Sequence, residues 1–299
     1  MRELIVRVSC FVADLVLGGF GAQHALGVGR PYQSALSVAL GLLALGASVF
    51  HLGRPQYAFR AVLGIRTSWM SRECAAFGLF AGSAVAYAAA FWVEPIAAAL
   101  QLPMPPPALL ATVRPVLGMV VAASGVLGVL SSVMLYQVTR RRWWSGARTT
   151  SRFALTAALL GLSTTSVSLL ISGFFERNFE NARAAAASLS PALIAVVLLK
   201  LATDLEILVH LRERGLGELK RSALLLIGEL RPVFALRVAL SLAGIFLALL
   251  AAGTASLEPG AVFTLWLLSF GCLLGSELFE RSLFFRAASA PKMPGAIGP

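Results

Sequence analysis

A chain of 299 residues with 58% hydrophobic and 13% charged residues, and a mean hydropathy of +0.82, is not an ordinary soluble domain, in which about a quarter of residues carry charge. Its net charge of +11 sits mostly in short segments between apolar runs, a pattern that sets membrane topology and does not indicate nucleic-acid binding. The three cysteines, Cys10, Cys74 and Cys272, stand alone in or beside apolar segments; without a CxxC pair or iron–sulfur spacing they read as small buried thiols.

Eight apolar runs are long enough to cross a bilayer core: about 4–26, 34–53, 74–93, 108–134, 153–175, 187–210, 234–253 and 261–284. Their apolar character is continuous and does not alternate, which excludes a membrane β-barrel. Backbone groups in lipid must be paired within the segment, so the runs are expected to be helices. The fold class is therefore all-α: one polytopic membrane domain over 1–299, a bundle of eight transmembrane helices. The first run is too long and too spotted with polar residues for a signal peptide and reads as a mature helix.

Between the runs lie loops of distinct character. Residues 51–73, HLGRPQYAFRAVLGIRTSWMSRE, place four arginines, a histidine and a glutamate between two apolar segments. The loop 94–108 contains LPMPPP, a stiff turn in which proline cannot continue a helix. The loop 139–152 is basic and aromatic, and 211–237 contains LGELKRSALLLIGELRP, which reads as a short amphipathic surface helix. Twenty Lys and Arg residues fall on the side of the N-terminus and four on the other. This asymmetry predicts a multi-pass membrane protein with cytoplasmic termini and with 51–73 opening toward the cytoplasm.

Ionisable groups within apolar runs mark a function or a structural pair. Asp14 has no partner nearby in sequence. Lys200 and Asp204 are four apart on one helix face, which lets them neutralise each other. Glu206 and His210 are expected to reach interfacial water, and Glu277, Glu280 and Arg281 to form a solvated or mutually paired helix end. Haem ligation by two facing histidines finds no supporting spacing among His24, His51 and His210. Neither a haem nor an iron–sulfur cluster is expected in this chain.

At 51–73, His51 ends one helix at the inner interface, and Gly53 and Pro55 force a sharp exit. Ser71 is the expected cap of the next helix, with Glu73 in its first turn. A base that titrates near neutral pH and a carboxylate at the ends of neighbouring helices suit proton-coupled chemistry at a membrane surface. HLGRPQYAFRA followed by SWMSRE resembles the signature of the membrane-anchor subunits of dimethyl sulfoxide reductases, within the wider polysulfide-reductase-like (NrfD-like) group of anchors. SSVMLYQVTRRRWWSGARTTSRFALTAALLG (131–161) and the terminal GSELFERSLFFR…PKMPG resemble the same anchors.

The resemblance implies an eight-helix anchor without a cofactor of its own. Such an anchor holds a four-cluster iron–sulfur ferredoxin-like subunit and a molybdopterin catalytic subunit at the bilayer, and binds an exchangeable quinone or quinol (menaquinone or ubiquinone). It further implies that His51 and Glu73 belong to the quinone site; Arg54 and Arg72 are added on chemical grounds, as cations suited to a quinone oxygen gaining negative charge. In the best-known anchor of the family this loop faces the periplasm, whereas the arginine asymmetry here faces it inward, as in sulfite-oxidising membrane complexes that feed the quinone pool. The alternatives are a proton-coupled transporter, favoured by Asp14, Lys200 and Asp204 but lacking any evident inverted repeat, and a purely structural anchor.

Overall fold

The structure, a computed structural model, describes residues 60–254 and 256–288, together with Ser34, Ala35, Val38, Ala39 and Leu42. Seven α-helices follow in chain order: α1 Trp69–Ala99, α2 Pro107–Gln137, α3 Gly146–Phe175, α4 Phe179–Leu205, α5 Glu218–Ile227, α6 Arg231–Gly253 and α7 Pro259–Arg286. A short 3₁₀ turn at Arg142–Trp144 precedes α3, and another at Glu206–Arg212 follows α4. Among the described residues there is no strand.

Among the described residues five helices, α1, α2, α3, α6 and α7, are long and apolar enough to cross a membrane. The protein is a multi-pass helical membrane protein, but the eight spans expected from sequence are not reproduced among the described residues. The predicted helix 4–26 lies outside them, as does 34–53 except for five positions, which are helical; Val38 packs against the main core. Of the helices present, α5 is the amphipathic surface helix expected in 211–237, and it buries Ser222, Ala223 and Leu226. Helix α4 spans 27 residues but carries Glu180, Arg183, Lys200 and Asp204, which dilute its apolar character.

The helices also run past the apolar runs that announced them. Helix α1 begins at Trp69, not after Ser71, because Ser68 is the residue with extended backbone (φ −112°, ψ 125°) and its hydroxyl accepts the Ser71 N–H. Ser71 itself is buried in the first turn. The N–H groups of Thr67 and Ser68 both donate to the Gly64 carbonyl, which closes the preceding turn and fixes where the helix can start.

Helices adjacent in sequence pack as hairpins: α1 with α2, α3 with α4, α6 with α7. Helix α3 also packs on α7 and α4 on α6, so these four close into a ring, while α2 leans on α3 and attaches the α1–α2 pair. Leu159, Leu160 and Leu170 from α3 meet Leu193 and Val197 from α4, Ala248 from α6, and Trp266 and Leu273 from α7. Lipid is as apolar as leucine, so helix association rests on close packing and interhelical hydrogen bonds. The Ser269 hydroxyl donates to the Gly244 carbonyl at 2.7 Å across α6 and α7.

Gly244 makes that approach feasible, since a Cβ there would lie 2.6 Å from Leu273 Cγ. Leu273 is fully buried and cannot yield. Gly244→Ala is expected to cost ~1–3 kcal/mol through overpacking, read as a lower thermal midpoint in detergent. Combined with Leu273→Ala, the loss is expected to be smaller than the sum of the two single losses, because the added methyl fills part of the cavity.

The ends of α1 and α2 away from residues 60–68 are tied by Glu94 and Arg114, 2.5 Å apart, and Arg114 also donates to the Ala90 carbonyl at 2.9 Å near Pro95. At the same end Arg183 donates to the carbonyls of Thr254 and Leu257 and fastens α4 to the α6–α7 turn. The loops 60–68, 138–145 and 206–230 all emerge at the opposite end, which is the strongly basic one.

Candidate functional site

Two polar sites lie toward the basic end. The first is at the start of α1. Glu73, expected in the first turn, lies just past it because α1 starts at Trp69; it is half-buried and accepts a short hydrogen bond from the Ser132 hydroxyl on α2. Ser132 is itself buried, with its hydroxyl 3.2 Å from the Gly128 carbonyl. A carboxylate held by a buried hydroxyl has a set orientation and can accept or deliver a proton at its other oxygen.

Arg72 is the neighbouring residue, but its guanidinium turns the other way. It donates to the carbonyls of Ile65 and Arg66 at 2.9 and 2.8 Å and lies 4.2 Å from the Trp69 ring. Its place is therefore to pin the loop 60–68 against the helix start. His51 and Arg54 lie outside the described residues.

One turn beyond Ser132, Tyr136 sits at the centre of an aromatic cluster with Trp144, Phe153, Phe284 and Phe285, ring centroids 5.1–5.9 Å away. Trp143 and Trp144 both donate their indole N–H to the Phe284 carbonyl, at 2.8 and 2.9 Å. The basic aromatic loop 139–152 is thus folded inward onto the end of α7 and is more than an interfacial belt.

The second site lies inside the four-helix ring. Lys200 on α4 is 2.7 Å from Glu277 on α7, and both are essentially inaccessible, at 1% and 0% exposure. The Thr156 hydroxyl on α3 donates to Glu277 at 2.6 Å and also contacts the Lys200 ammonium, which reaches the Arg152 carbonyl at 3.2 Å. Asp204 contacts Arg237 on α6 and lies 3.6 Å from Arg152. Glu280 lies 3.8 Å from both Arg152 and Arg281. Four cations and three carboxylates are thereby buried together in the ring.

This overturns one sequence reading and narrows another. Lys200 and Asp204 share a helix face but do not neutralise each other, because each faces a different neighbouring helix that brings an opposite charge. Of the solvated or mutually paired helix end expected at Glu277, Glu280 and Arg281, the solvated form is excluded, since α3, α4 and α6 wall these residues in, while Glu280 and Arg281 do pair at 3.8 Å. Thr156, Arg152 and Arg237 went unread because they lie in or beside basic loops. The signal that could have found them was the four-residue spacing of Arg152/Thr156, Lys200/Asp204 and Glu277/Arg281, which places each pair on one face.

By contrast, Glu206 is exposed as expected, 3.2 Å from Arg148, and His210 reaches Arg148 and Glu213. Cys74 is exposed and Cys272 partly so, because both lie on outward faces of their helices rather than in the core. Three of the twenty cations counted on the basic side, Arg152, Arg237 and Arg281, are buried in the ring and carry no topological weight; the remainder still far outnumber the four on the other side.

Residues 32–286 match the family described as DMSO reductase anchor subunit (DmsC). A 112-residue stretch is 34% identical to a sulfite dehydrogenase subunit of Allochromatium vinosum, a match covering 36% of this chain and 30% of that protein. Membrane-spanning helices, the charged loop leading into α1 and a family match over most of the chain agree: this protein belongs to the DMSO reductase anchor subunit family.

Proposed function

We propose that this chain is the quinone-reactive membrane anchor of a molybdoenzyme complex and exchanges electrons between the quinone pool and an iron–sulfur partner subunit. The observation that carries this reading is Glu73: a carboxylate at the mouth of a transmembrane helix, oriented by Ser132 and directly following the loop that bears the family signature. Quinol oxidation releases two electrons and two protons. The electrons pass to a four-cluster ferredoxin-like subunit and on to a molybdopterin catalytic subunit. His51 takes a proton near neutral pH, and Glu73 orients it or relays the proton. Arg54 supplies positive charge to a quinone oxygen. Arg72 acts on this site by holding the loop. Quinone reduction uses the same groups in reverse.

In this reading the chain has eight spans: the five named above, α4 through its uncharged stretch 184–199, and two preceding α1 that come from 4–26 and 34–53. It lies in the bacterial inner membrane with both termini in the cytoplasm. The arginine asymmetry and the similarity to a sulfite dehydrogenase subunit favour a cytoplasm-facing, sulfite-oxidising complex that feeds electrons into the quinone pool. The transporter alternative loses its main support, since Lys200 and Asp204 are engaged by neighbouring helices.

The test is a titration of the purified chain, with its co-purifying partners, using a fluorescent N-oxide quinol analogue. Tight binding to wild type that is lost in His51→Ala, with the assembly intact, supports a quinone site at this loop. Equal binding by both, or none by either, removes His51 from the role and leaves a structural anchor.

A further inference from the structure

The ionic cluster in the ring contains well-made and poorly made contacts. Around Lys200 the distances are those of direct hydrogen bonds, although Glu277 Oε1 is buried without a partner. Around Arg237 the charges meet without hydrogen-bond geometry. Its Nη2 touches Asp204 Oδ2, yet Nε, Nη1 and Nη2 all lack a hydrogen-bond partner although the residue is 1% exposed. Arg152 Nη1, Asp204 Oδ2 and both oxygens of Glu280 are likewise buried without one. The Arg152 contacts to Asp204 and Glu280, at 3.6 and 3.8 Å, are too long for direct hydrogen bonds.

These atoms face one another. Arg152, Asp204, Arg237 and Glu280 line one side of a cavity, and Trp143, Leu226 and Phe284 help to close the other. The cavity has room for about one water molecule. A polar contact spread over more than about 3.5 Å between buried charges calls for a bridging group. Leaving that many buried charged atoms unbonded costs far more than holding one ordered molecule.

We propose that the ring encloses an internal water site bounded by Arg152, Asp204, Arg237 and Glu280. The chemistry selects water over the small anion that four cations facing three carboxylates would otherwise suggest. An anion can only accept hydrogen bonds, and it would meet the unbonded oxygens of Glu280 and Asp204 as well as the guanidinium N–H groups. Water can donate two hydrogen bonds to the carboxylates and accept two from the guanidiniums, so one molecule bonds to both sets and relieves up to four of these seven atoms, which an anion cannot do. The site ties α3, α4, α6 and α7 together through solvent, beneath the lid formed by the Arg142–Trp144 turn and α5.

The test is pulsed hydroxyl-radical footprinting of the intact complex in lipid nanodiscs, which labels side chains beside bound water even when bulk solvent cannot reach them. Leu226 and Leu283, on the cavity wall, are compared with the fully buried Leu169 and Leu170 and with Leu201, a core leucine more exposed than either cavity leucine. Severalfold faster labelling of Leu226 and Leu283 is expected, falling to the core rate in the Asp204→Leu/Arg237→Met double variant, which removes both charges at once. Equal rates in the wild-type protein would overturn the site, independently of any variant's folding. A high-resolution map of the wild-type complex separates the ligands. Density within hydrogen-bond distance of both Arg237 and Glu280 supports water; density against guanidiniums alone that strengthens when chloride is exchanged for bromide overturns it in favour of an anion.

Discussion

Lys200→Met is expected to be among the most damaging single substitutions in the chain, with most of the protein lost from the membrane fraction. The side chain is about the right length, so the cause is electrostatic and not a cavity. Glu277 would keep its negative charge at 0% exposure without its direct ion pair, held by the Thr156 hydroxyl and by the more distant charge of Arg237. Stranding one member of a buried pair costs ~3–5 kcal/mol, a large fraction of the ~5–15 kcal/mol by which most proteins are stable. Removing both charges does not carry that penalty, because replacing a buried pair by apolar residues of similar volume is often neutral or stabilising. Lys200→Met/Glu277→Leu is therefore expected to recover expression and most of the thermal midpoint, measured by fluorescence-detected size-exclusion chromatography after heating. A single variant as stable as wild type, or a double variant no better than the single, would show that the pair does not hold α4 to α7.

That pair also shows where reading the sequence stopped. The apolar runs declared a polytopic helical protein because the requirement for internally satisfied backbone leaves helices as the only reading of continuous hydrophobicity. The surface helix α5 was legible from its amphipathic spacing, and the basic loops from their arginines. Spacing shows which residues share a face, but not which neighbouring helix that face meets. Lys200 and Asp204 were therefore paired along α4, whereas the ring pairs them outward to α7 and α6. For a related reason sequence alone puts Arg152 and Arg237 in basic loops and Arg281 at a helix end. Helices α3, α6 and α7 extend beyond their most apolar stretches, and the added residues carry those arginines inward. Ser132 was invisible because one serine among several on α2 acquires its role only when α1 brings Glu73 against it. The start of α1 was missed by a few residues, since Ser68 and Ser71 are chemically equal caps and the turn closed by Gly64 decides between them.

Glu73 is where the proposed chemistry meets the structure most directly, and three substitutions there carry different expectations. Glu73→Gln keeps shape and the hydrogen bond from Ser132 but removes the ability to take a proton. If the carboxylate serves quinol chemistry, turnover with a soluble quinol analogue should fall by ~10²–10⁴-fold, the usual worth of a positioned acid–base group, with little change in assembly or thermal midpoint. Ser132→Ala leaves the charge and removes its orientation, so a smaller loss is expected. Arg72→Gln breaks two hydrogen bonds to the carbonyls of Ile65 and Arg66. Its effect should appear in the stability of the loop, read as faster amide exchange over 60–68, and in a weaker apparent affinity for quinol rather than in the maximal rate. The pattern matters more than any single value. A carboxylate that only caps or anchors α1 predicts that Glu73→Gln is nearly silent while Arg72→Gln and Ser132→Ala do as much harm or more. A carboxylate that handles protons predicts the reverse order in turnover, with all three variants still assembled in the membrane.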